Sequence, residues 1–142
     1  MTDGRPTGRV EGVHHVAFAH DAASPVLEAF REVLGLEVAH GEPGAGFIER
    51  MLPTGDGCHV QLLEACGPGV VAKFVERRGP ALHHVAFAVT GLDDLLVELQ
   101  DRGVRLVDET PRPGGMGTRV AFIHPAVFGG LLVELVEQPG AP

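Results

Sequence analysis

The segments "VHHVAFA" at residues 13–19 and "LHHVAFA" at residues 82–88 are nearly one heptapeptide written twice, 69 residues apart. A strand-like segment repeated at that separation marks two copies of one supersecondary unit, and the segments downstream of the two copies agree. After the first, Ser24-Pro25 reads as an N-cap with a first-turn proline. Leu27, Phe30 and Leu34 then fall at helical spacing, and Gly35 stops the helix. "LEVAHG", "GFIERMLP" and "CHVQLLE" supply three strands. After the second copy, Thr90 and Asp93 form a capping box, and Leu92, Leu95, Leu96 and Leu99 make an apolar stripe closed by Gly103. "VRLVDE", "TRVAFIHP" and "LLVELVE" complete it. The predicted fold class is α+β, two tandem βαβββ modules at about 11–65 and 81–137. A linking helix at about 68–79 carries Val71, Phe74 and Val75 inward, and the whole chain, 1–142, is read as a single domain.

Aligning the halves places "VQLLE" over "VELVE" and "GFIERMLP" over "TRVAFIHP". Gln61 then matches Glu134, and Glu49 matches Ala121. Side chains alternate along a strand, so His15, Ala17 and Ala19 share one face and His14, Val16 and Phe18 the other. The bulky face suits a helix, while the small face leaves space beside its histidine. His84, Ala86 and Ala88 repeat the pattern. If a pseudo-twofold relates the copies, their first strands bring His15 and His84 together and their last strands Gln61 and Glu134. Two imidazoles, a carboxylate and an amide oxygen suit a divalent transition metal with water in open positions; magnesium prefers more oxygen ligands. A polar side chain inside "HVQLL" or "LVELV" is otherwise costly to bury. Glu49, among Phe47, Ile48 and Met51, is either an edge-strand charge or a carboxylate aimed at the pocket.

Composition narrows the partners. With a net charge of −8 the chain is not built for nucleic acid or an anionic membrane. A small anionic ligand remains open to Lys73, Arg77, Arg78, Arg112 and Arg119. No apolar run reaches the roughly 18 residues of a membrane span, and "MTDGRPTGR" lacks a signal core. With Cys58 and Cys66 as the two free thiols, this reads as a cytoplasmic protein. Cys58 and His59 point to opposite strand faces, which disfavours a thiol–imidazole nucleophile. His124-Pro125 reads as a turn start, and "RPGGMGTR" as a hairpin connection.

With these residues in place, the sequence resembles the vicinal oxygen chelate superfamily and, from about Val13 to Glu137, its methylmalonyl-CoA epimerases. The resemblance rests on "GVHHVAFA", "VLGLEV", "VQLLE", "VAKFVERRGPALHHVAFAV", "GVRLVDETPRPGGMGTRVAFIHP" and "GGLLVELVE". It implies one cupped, mainly antiparallel eight-stranded sheet with helices on its outer face. It also implies one divalent metal per chain, Co2+ first, with Mn2+, Ni2+ or Zn2+ as alternatives. The family's ligand set falls on His15, Gln61, His84 and Glu134, and its proposed base on Glu49. The implied activity interconverts the 2R and 2S forms of methylmalonyl-CoA by proton abstraction at C2 through a metal-stabilised enolate. Glu134 is a candidate second proton donor, Lys73 and Arg119 are candidates for the CoA phosphates, and a homodimer is implied. The chain departs from relatives at "AHDAASPV" and at Phe30-Arg31, which touch packing more than the site. The alternatives are a glyoxalase I-like enzyme, an epimerase of another acyl-CoA, or a metal-free ligand-binding protein. Gln61 disfavours an extradiol dioxygenase.

Overall fold

The computed structural model describes residues 8–140; the opening MTDGRPT, expected to lack a signal core, lies outside them. The described chain runs β1 Arg9–Asp21, α1 Val26–Leu34, β2 His40–Pro43, β3 Phe47–Pro53, β4 His59–Ala65 and α2 Val70–Arg78. It continues through β5 Ala81–Thr90, α3 Leu92–Asp101, β6 Arg112–Pro113, β7 Arg119–Ile123 and β8 Leu132–Glu137. The strands take the order β2-β3-β4-β1-β5-β8-β7-β6 in one mixed sheet. β1 and β4 are parallel, whereas β2/β3, β3/β4, β6/β7 and β7/β8 are antiparallel. Each βαβββ module thus appears as four strands and a helix, the α+β class read from the repeat. The chain packs as two compact units, His15–His84 and the remainder.

In the His15–His84 unit, alternation along β1 holds from His15 to Ala19, after which His20 is buried as well. His15, Ala17 and Ala19 are buried, while Val16 is exposed. Phe18, on the other face, joins Leu52, Val60 and Leu62 against Val26, Leu27 and Phe30 of the α1 region. The bulky face takes a helix, as its side-chain sizes require. The small face does not stand empty along its length: Val71, Phe74 and Val75 of α2 pack on Ala17, Ala19 and Leu63. The alanines therefore admit the linking helix. Leu62 is fully buried at the α1 side. Leu62→Ala should cost about 2–5 kcal/mol through lost burial plus a cavity. Chemical denaturation should show this as a lower midpoint at unchanged slope.

Two local readings shift. Ser24 does not cap α1; its N–H and hydroxyl bond Asp21 Oδ1 at 2.9 and 2.6 Å, and Pro25 occupies the cap position. The Ser24 hydroxyl bond holds the Asp21 carboxyl below the usual range. Gly35 ends the helix in the left-handed region at φ 72°, as its position predicts. The strand expected at "LEVAHG" begins only at His40, because Leu36 folds back onto α1, donating to Phe30 O at 3.1 Å and joining its apolar cluster.

In the other unit, Leu92, Leu95 and Leu96 of α3 pack with Val89, Ala121, Ile123, Val133 and Leu135. The Thr90 capping box does not form. Gly91 takes the cap position at φ 65°, Thr90 donates to Glu11, and the Leu92 N–H bonds Glu137 Oε2 at 2.9 Å. "VRLVDE" is not a ladder strand. Val107 and Asp108 N–H groups both converge on Phe122 O, leaving a single bridge from Leu106 to Ile123. Among the described residues, no helix is long and apolar enough to cross a membrane.

Candidate metal centre

The first and last residues of the His15–His84 unit meet. Both histidines are 4% exposed, and their Nε2 atoms lie 3.1 Å apart with rings inclined at 76°. Two nitrogens each about 2.1 Å from one ion lie within roughly 4.2 Å of each other, so this spacing suits a shared cation.

Strand register assembles the rest of that face. Ala17 pairs with Gln61 and Gln61 with Met51; Ala19 pairs with Leu63 and Leu63 with Glu49. Paired residues share a face, so His15, Gln61 and Glu49 lie on the same side of β1, β4 and β3. The Gln61 amide, 7% exposed, donates from Nε2 to Glu49 Oε1 at 2.7 Å. A carboxylate oxygen accepts only, so this contact fixes which amide atom is nitrogen. The Gln61 Oε1 is left buried with no hydrogen-bond partner. A buried carbonyl oxygen without a donor is costly, and its chemistry suits a cation. The residues present therefore fit a metal ion.

Glu134 sits in the other unit, on β8, 8% exposed between buried Val133 and Leu135. His15 and His84 in the one unit and Glu134 in the other are each buried groups of ligating type. The registers correct one pairing of the halves. Gln61 lies opposite Met51 and Glu134 opposite Phe122, so the counterpart of Glu49 is Val120, opposite Val136. Ala121 faces α3 instead. A one-residue offset between aligned segments moves a side chain to the other face. The second module still has an apolar residue where the first has its carboxylate.

The remaining candidates have other surroundings. Lys73 is exposed on α2. Arg119 is held bidentately by Asp93, both contacts 2.9 Å, and by Glu137 at 2.8 Å. These bonds hold its guanidinium more firmly protonated and depress the Asp93 carboxyl. Arg112 lies 3.4 Å from Asp108 and over the Phe122 ring. His124 Nδ1 accepts from the Ala126 N–H at 3.0 Å, which makes it a turn cap. Thr118 closes the "RPGGMGTR" loop by donating to Gly115 O at 2.7 Å.

Three histidines and a carboxylate were not foreseen near this face. His59 pairs in register with His15. His40 and Glu42, 3.6 Å apart, lie opposite Met51 and Glu49; placing the strand start four residues too early hid their alternation. His83 Nδ1 lies 2.8 Å from His84 Nδ1.

Residues 14–122 match the family model for the glyoxalase/bleomycin resistance protein/dioxygenase superfamily. The chain is similar to the crystal structure of methylmalonyl-CoA epimerase from Mycobacterium tuberculosis, with 36% identity and a TM-score of 0.85 over 99% of this chain and 95% of that one. It is also similar to a methylmalonyl-CoA epimerase solved in complex with methylmalonyl-CoA and NH4+, at 33% identity and a TM-score of 0.83, covering 94% and 98%. Among curated proteins, the ethylmalonyl-CoA/methylmalonyl-CoA epimerase of Cereibacter sphaeroides is 32% identical over 88% of this chain and 96% of its own length.

Proposed function

Because the chain belongs to the glyoxalase/bleomycin resistance protein/dioxygenase superfamily and groups there with methylmalonyl-CoA epimerases, we propose that it interconverts 2R and 2S methylmalonyl-CoA. In this reading one divalent metal ion is held by His15, Gln61, His84 and Glu134, and Glu49 moves the C2 proton. One observation carries the site assignment. The Glu49 carboxylate is hydrogen-bonded to the amide whose oxygen is orphaned, on the face where two imidazoles meet.

The C2 hydrogen lies between a thioester and a carboxylate, so its removal leaves charge on the thioester oxygen. A bound divalent ion would supply Lewis acidity to that oxygen and to the free carboxylate. Because Gln61 is neutral, the donor set carries one negative charge and leaves a divalent centre a formal +1. Gln61 also orients Glu49 through the 2.7 Å bond, so base and ligand are positioned together. Glu49 takes the proton from one face of C2. The spare oxygen of the Glu134 carboxylate is the candidate to carry a proton to the opposite face, which requires that it be protonated in that half of the exchange.

Incubation with the pure 2R thioester, followed by chiral separation of the acyl product, should give a near-equal mixture of epimers without loss of thioester. Oxygen uptake, or turnover of a hemithioacetal in place of epimerisation, would move the chain to the other chemistries of its superfamily.

A further inference from the structure

We propose that His83 is a positioning residue that fixes the tautomer of His84 for metal binding, an inference that rests on the metal site proposed above. A neutral imidazole carries its proton on one ring nitrogen and a lone pair on the other. His84 presents Nε2 toward His15 Nε2 at 3.1 Å. For that nitrogen to offer a lone pair, the His84 proton must sit on Nδ1. The 2.8 Å contact with His83 Nδ1 is then His84 donating and His83 accepting, with the proton of His83 on its own Nε2. The reverse arrangement would aim an N–H of His84 into the site. Ligating histidines commonly donate their second nitrogen in this way, which orients the ring and raises its basicity.

Neighbours on a strand point to opposite faces, yet these two rings meet because each uses the nitrogen nearest the backbone. They are inclined at 77° with centroids 5.1 Å apart. His83 is itself held: the Phe74 ring of α2 lies 4.8 Å from it, inclined at 64°. Phe74 packs into the cluster of Ala17, Ala19 and Leu63, and Arg78 covers its ring at 5.3 Å. The linking helix thus reaches the site through Phe74, His83 and His84 in sequence. That gives the first histidine of the second doublet a task of its own.

Nitrogen-15 NMR of the metal-free protein reads the His84 tautomer, and calorimetric titration with Co2+ reads the quality of the ligand. His83→Asn keeps an acceptor where Nδ1 stands, while His83→Gln moves it toward the position of Nε2. Wild type and His83→Asn should show His84 protonated at Nδ1 and share one Co2+ affinity. His83→Gln should show it protonated at Nε2 and bind roughly 10–100-fold more weakly. Protonation at Nε2 in the wild type, or equal losses in both variants, would overturn the proposal. A wild type with the Nδ1 tautomer that takes up no Co2+ would support the tautomer assignment and overturn the metal reading alone.

Discussion

Glu49→Gln should slow epimerisation by roughly 10²–10⁴-fold, the range a positioned general base contributes, or about 2.7–5.5 kcal/mol of barrier. The substitution keeps shape and a carbonyl acceptor, so the Gln61 amide retains a partner at the position that now lies 2.7 Å away. Metal content and melting temperature should therefore stay near wild type while the rate falls. Glu49→Leu is different in kind. It removes the acceptor as well, frees the Gln61 amide to turn, and should lower metal affinity along with rate. A Glu49→Gln protein that epimerises at the wild-type rate would show that the base lies elsewhere on this face, where Glu42 and His40 stand opposite Glu49 and Met51.

Removing one imidazole should be costlier to binding. His84→Ala is expected to lose stoichiometric metal and about 10³-fold or more of the rate, since Lewis-acid stabilisation is worth several kcal/mol. His15→Ala should behave alike, because the two Nε2 atoms face one another at 3.1 Å and each is half of the same pair. Elemental analysis after dialysis, beside initial rates with and without added Co2+, checks both. Each cavity opens at a site only 4% exposed, so a melting curve should accompany the rates. A folded, inactive, metal-depleted protein is the expected outcome. Full activity with no metal retained would remove His15 and His84 from the proposed ligand set.

The repeat made much of this legible in advance. Period-2 alternation alone placed His15, Ala17 and Ala19 inside and Val16 outside, because a half-buried strand sorts its residues by size and polarity. Helical spacing placed the α3 stripe and the inward residues of α2 in the same way. The features that stayed hidden depend on tertiary partners. Thr90 and Ser24 have the chemistry of caps, yet Glu11 and Asp21 engage them first. "VRLVDE" has strand composition, but two successive N–H groups spend themselves on one carbonyl. The late start of β2 concealed His40 and Glu42, and an alignment offset of one residue put Ala121 where register puts Val120. The candidate donors are those that symmetry between the halves proposes. The bond from Gln61 to Glu49 and the contact between His83 and His84 required coordinates, since neither can be deduced from spacing.

The most direct measurement is proton NMR in D2O with a single epimer of methylmalonyl-CoA. Deuterium should enter at C2 as the second epimer forms, stop when a chelator strips the metal, and resume when a divalent ion is restored. Absence of exchange at C2, or exchange indifferent to chelation, would contradict a metal-dependent proton transfer at that carbon.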